Sequence, residues 1–133
     1  MPAGRIDPPS PRLREVLRHE VAHAFVEEIS AGRADAAWQE GIAEHFEGDD
    51  VSSLEATLRG VARDPARWPP PETHETAHVR IEWFLRRYGM SAVAAILAAM
   101  PARGVDGALR SVTGLGSAEL DEAWRRDLVA GPR

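Results

Sequence analysis

From Leu13 to Ile29 apolar side chains return at helical spacing, at Leu13, Val16, Leu17, Val21, Ala24, Phe25 and Ile29, and Gly32 stands where such a helix would stop. A second helix is predicted from about Ala34 to Phe46, ending in the Gly48-Asp49-Asp50 turn. Val51 to Val61 reads as a short third helix with Ser52 or Ser53 as its cap. The stretch from Asp64-Pro65 to Trp68-Pro69-Pro70-Pro71 must be irregular, because consecutive prolines remove backbone donors and clash with the preceding turn. Glu72 to Tyr88 then gives a long helix with Ala77, Ile81, Phe84, Leu85 and Tyr88 on one face and Gly89 closing it. Ser91 caps a segment from Ala92 to Met100, Val105 to Val112 forms a short helix, and Ser117 opens a last one that ends near Val129. No segment alternates β-branched and polar residues as a strand would, and no internal repeat is visible. The predicted fold is all-α: one domain of six to seven helices over residues 12–129, with an extended proline-rich tail before it (1–11) and a flexible tail after it (130–133).

Composition narrows the function classes. A chain of 133 residues that is 44% hydrophobic supports a single core. A formal charge of −5 speaks against nucleic acid and against an anionic membrane surface, since phosphate binding needs a basic face. With no cysteine, neither disulfides nor a thiolate metal site can form. The longest apolar run, the nine residues Ala92 to Met100, falls well short of the ~20 that a membrane-spanning helix needs. The first ten residues lack the apolar stretch of a signal peptide, and the expectation is a cytoplasmic protein.

The chemistry concentrates in two places. His19-Glu20-Val21-Ala22-His23 has the form H-E-x-x-H, and residues four apart on a helix project from one face, so both imidazoles can reach a single metal ion. Val21, Ala22, Ala24 and Phe25 are expected to surround them with a dry, apolar wall. Fifteen residues after His23, the segment Trp38-Gln39-Glu40-Gly41-Ile42-Ala43-Glu44 begins and offers a third ligand from a separate helix. Catalytic zinc takes three protein ligands and leaves a fourth position open. His19, His23 and Glu40 fill that requirement, with one Zn2+ per chain. Glu20, beside the metal but not bound to it, is placed to take a proton from a zinc-bound water. Glu44, on the same face as Glu40, is expected to accept the free ring N–H of a ligating histidine. His45 is expected to point elsewhere, Trp38, Trp68, Trp83 and Trp124 to pack in or beside the core, and Arg86-Arg87 and Arg125-Arg126 to lie on solvated helix faces.

These residues resemble the gluzincin metallopeptidases, above all their small peptidase-MA-like members, which are themselves similar to the helical half of thermolysin and of the aminopeptidases. The E-G-[IL]-A-E element at Glu40–Glu44 is more specific than H-E-x-x-H alone. The resemblance extends over about Arg12 to Leu128, through His74–Gly89, Ala108-Leu109, Gly114 and Glu119-Leu120-x-x-x-Trp124. It implies a zinc-dependent endopeptidase or aminopeptidase-like hydrolase acting on a peptide or protein substrate. His19, His23 and Glu40 would be ligands, Glu20 the general base and Glu44 an outer carboxylate. It also implies an oxyanion-stabilising donor on the later helix, at His74 or, one turn on, His78.

One departure is plain. Gluzincins place a β-sheet subdomain before the H-E-x-x-H helix, and its edge strand holds the substrate by strand addition. Only eighteen residues precede His19 here, and they are rich in proline. The sheet is therefore expected to be missing, and a partner or further domain to cover the cleft. The alternative reading is a catalytically weak or inactive zinc-binding module that docks a protein partner.

Overall fold

A computed structural model describes Gly4, Asp7, Pro8 and residues 10–131. The described residues form six helices and no strand: α1 (Pro11–Ser30), α2 (Ala36–Glu47), α3 (Ser52–Ala62), α4 (His74–Tyr88), α5 (Met90–Thr113) and α6 (Ser117–Ala130). The all-α reading holds. Most of the expected proline-rich tail lies outside the described residues, as do positions 132–133 of the expected C-terminal tail, whereas Ala130 still belongs to α6.

Local chemistry sets the boundaries. Ser10 accepts the Leu13 N–H to start α1, with Pro11 in the first turn, where its missing N–H costs nothing. Asp35 caps α2 through the Trp38 N–H, and Thr73 caps α4 through the Thr76 N–H. Neither Ser52 nor Ser53 caps α3: its N-cap is Val51, and the Asp50 carboxylate instead accepts the Ser52 N–H and O–H. The two segments expected around residues 92–112 are both present within α5, separated by a kink where Gly104 leaves helical geometry at φ 71° and ψ 176°. By length and hydropathy α5 qualifies as a candidate membrane span, a test that the core helices of soluble proteins also pass. Its buried side, including Val93, Ile96, Met100 and Leu109, joins the core.

The core gathers around Trp124, Ile96, Met100, Val26, Val79 and Val93, all essentially without solvent exposure. Trp38, Trp68, Trp83 and Trp124 all lie in or against it, as expected. Helix α2 lies between α1 and α4, α5 runs along α1 and α4, and α3 packs on α6. The tightest point is Gly41. A Cβ there would stand 2.6 Å from Ile81 Cγ1 and 2.7 Å from the Ala77 carbonyl oxygen, so α2 can approach α4 this closely only through a glycine.

On α1 the structure departs from the expectation. The residues that face the core are Ala22, Val26 and Ser30, while Leu13, Val16, Leu17, Val21, Phe25 and Ile29 are exposed. The dry wall expected from Val21, Ala24 and Phe25 is therefore absent, because those three side chains point to solvent. Only Ala22 of that group is buried.

A hollow of about 480 Å³ between α2, α4, α5 and α6 is lined by Trp38, Arg80, Leu109 and Asp121. Burial raises the Asp121 carboxyl above the ordinary aspartate range, against the opposing pull of Arg80 and with help from the charges of Glu72 and Glu122.

Two measurements follow from this packing. Gly41→Ala should lose about 1–3 kcal/mol by overpacking against the Ala77 backbone, which exceeds the ~1 kcal/mol that helix propensity returns. Thermal unfolding should show a lower midpoint, whereas Gly60→Ala, where a Cβ meets nothing within 4 Å, should raise it. Asp121 has a raised value in the fold, so its contribution to stability is complete below the unfolded aspartate range and is lost as pH rises through the folded value. Asp121→Asn should therefore raise the midpoint at neutral pH, and the gain should vanish toward acid.

Candidate metal centre

His19 and His23 stand one turn apart on α1, on the side that meets α2. From α2, Glu40, Glu44 and Glu47 follow the i, i+4, i+7 spacing of a single face, and the close seat of Gly41 on α4 fixes where that face points. The result is a convergence of three side chains. His19 Nε2 lies 3.1 Å from His23 Nε2. Glu40 Oε1 lies 3.4 Å from His23 Nε2, and Glu40 Oε2 lies 3.7 Å from His19 Nε2. All three residues are half-buried.

The outer hydrogen bonds assign the imidazole tautomers. His19 Nδ1 is 2.9 Å from Glu47 Oε2, and an ionised carboxylate only accepts, so Nδ1 carries the proton and donates. His23 Nδ1 is 3.1 Å from Gln39 Oε1. The Gln39 amide is oriented by its own Nε2, which donates to Glu27 Oε2 at 3.1 Å. Its oxygen therefore faces His23, and His23 Nδ1 donates as well. In its neutral form each ring then turns an Nε2 lone pair inward. In that form two lone pairs and a carboxylate meet at the centre, and Glu40 Oε2 is buried without a hydrogen-bond partner. Such a cluster of acceptors is stabilised by a cation at its centre.

The donor set fits zinc. Imidazole nitrogen and carboxylate oxygen are zinc ligands at about 2.0–2.2 Å, which makes the edge of a tetrahedral shell about 3.3 Å. The three separations of 3.1, 3.4 and 3.7 Å bracket that edge.

The remaining candidates divide clearly. Glu20 is exposed on α1, next to His19, and no hydrogen bond or ion pair among the described residues engages its carboxylate. His74, in the first turn of α4, is exposed and brings Nε2 to 3.7 Å from Glu40 Oε2. His78 is turned away. It is 3% exposed, and its Nε2 faces Glu82 Oε1 at 3.4 Å. His45 also points away from the cluster, as expected, and donates to the same Glu82 oxygen at 2.6 Å. Glu44 was expected to hold a ligating histidine, but its nearer oxygen is 3.8 Å from His19 Nδ1, and Glu47, a turn further along α2, makes that bond. Glu47 and Gln39 are the residues that sequence reasoning missed. The first was legible in the Glu40, Glu44, Glu47 spacing; the second carried no signal beyond its place beside Glu40.

No family model matches the chain, and comparisons with curated proteins and with solved structures find no match.

Calorimetric titration of the metal-free protein with zinc should give one site per chain, and His23→Ala should abolish it. Glu47→Gln should weaken binding about 10–100-fold, as loss of an outer partner to a ligating histidine does. Glu44→Gln should have the smaller effect. Absence of zinc binding by the wild type would overturn the metal site.

Proposed function

We propose that the chain is a zinc-dependent metallopeptidase that hydrolyses peptide bonds in peptide or protein substrates, and that it works in the cytoplasm. The observation that carries this reading is the convergence of two inward lone pairs and the Glu40 carboxylate beside an unengaged glutamate, Glu20. A purely structural zinc site has no use for such a carboxylate at its edge.

His19, His23 and Glu40 would hold the metal, and bound zinc supplies a Lewis acid that polarises a carbonyl and acidifies water. Glu47 and Gln39 keep both rings in the tautomer that presents Nε2. Glu20 takes the proton of the attacking water and returns it to the leaving amine, which needs a carboxylate reachable from solvent and not tied up in an ion pair. His74, exposed at the rim and near Glu40, donates an N–H to the carbonyl oxygen as negative charge develops on it.

A second reading has its own support. The exposed apolar face of α1 is the kind of surface by which a zinc-binding module without activity docks a protein partner.

Cleavage of a mixed peptide library separates the two. Glu20→Gln should keep zinc binding and lose about 10²–10⁴-fold in kcat/KM. His74→Ala should lower kcat more than it raises KM, because its bond forms mainly in the transition state. If wild type and Glu20→Gln both bind zinc and neither cuts, the docking module is the correct description.

A further inference from the structure

Among the described residues nine large hydrophobic ones are left exposed; six belong to α1, and two more, Phe46 and Met90, line the groove beside it. Five of the six, Leu13, Leu17, Val21, Phe25 and Ile29, stand four residues apart and form one continuous ridge along α1, with Phe25 at its most prominent, 62% exposed. The adjoining groove of about 310 Å³, between Val21, Phe25, Ile29, Phe46, Met90 and Leu97, widens this apolar surface. A face of this size on an acidic chain calls for an occupant.

The order of residues along the ridge identifies one. The ridge is symmetric about Val21: Leu13 mirrors Ile29, and Leu17 mirrors Phe25. Flanking it, Arg14 mirrors Glu28, and both are exposed with no ion pair among the described residues. A second α1 laid antiparallel across the first at Val21 therefore sets each apolar residue against its mirror and each Arg14 against the other copy's Glu28. Glu15 and Glu27 would mirror as like charges. They lie on the sides of the helix turned away from the ridge, however, and Glu27 is already engaged by Gln39. A ridge of i±4 spacing packs into its own copy with a crossing angle of about −50°. Self-complementarity of one patch about a two-fold axis is the signature of an isologous dimer.

We infer that the protein forms a two-fold symmetric homodimer through antiparallel packing of α1 on α1, centred at Val21. The inference is independent of the metal reading. His19 and His23 point to α2 on the other side of the helix, so the dimer leaves the cluster open.

Sedimentation velocity on the full chain should give twice the 14.5 kDa mass. Val21→Glu, which sets two carboxylates face to face on the axis, should give a monomer with unchanged helical circular dichroism, while Val129→Glu, at an exposed large hydrophobic residue away from this surface, should stay dimeric. Arg14→Glu and Glu28→Arg should each weaken the dimer, and the two together should restore it. The chain has no cysteine, so Val21→Cys offers a positive readout: it should oxidise to a covalent dimer, and Val129→Cys should not. A monomeric wild type at its highest soluble concentration, a Val21→Glu variant that remains dimeric, or a charge swap that fails to restore association would each overturn the inference.

Discussion

The contact on which the molecule turns is the seat of Gly41 against Ala77 and Ile81. With 2.7 Å between a hypothetical Cβ and a backbone oxygen, α2 lies closer to α4 than any side chain permits. That closeness does two things at once. It buries Ile42 and Ala43 in the core, and it fixes the azimuth of α2, so that Glu40, Glu44 and Glu47 look toward α1. A small rotation of α2 would carry Glu40 off His23 and Glu47 off His19, because both contacts are hydrogen-bond length or only slightly longer. The glycine between the glutamates is thus part of the same arrangement as the glutamates themselves.

With both rings neutral the cluster is costly in the absence of a cation: imidazole lone pairs 3.1 Å apart repel, and a half-buried carboxylate with an unpartnered oxygen adds its own desolvation penalty. The outer bonds make this worse rather than better. By committing both Nδ1 atoms as donors, Glu47 and Gln39 leave the inner nitrogens as acceptors. Five polar side chains, His19, His23, Glu40, Glu47 and Gln39, thus make an arrangement that a cation would stabilise.

Much of this was legible in the chain. The six helices follow from periodicity and from their stop signals, and the pairing of His19 and His23 with Glu40 follows from spacing alone. Two things were not. Choosing between His74 and His78 required the register of α4 against α2, which places one at the rim and the other in the interior. Glu47 replaced Glu44 because the path of α2 past α1, rather than its face pattern, decides which carboxylate reaches His19.

The misreading of α1 is the most informative of these. The helix has two apolar stripes, and periodicity weights the larger one, so Leu13, Leu17, Phe25 and Ile29 outvote Ala22, Val26 and Ser30. The core took the smaller stripe for a geometric reason. Imidazoles on α1 can reach a glutamate on α2 only if the two axes lie close, and close axes require small side chains between them. Ser30 completes the seam by donating to the Val26 carbonyl at 2.6 Å and accepting the Ala34 N–H at 3.3 Å, which ties the end of α1 to the approach of α2. With small residues committed to the site, the large ones are left outward, on a ridge that matches its own mirror image. The close approach of α2 on one side of α1 and the apolar ridge on the other are thus two consequences of a single choice of which stripe to bury.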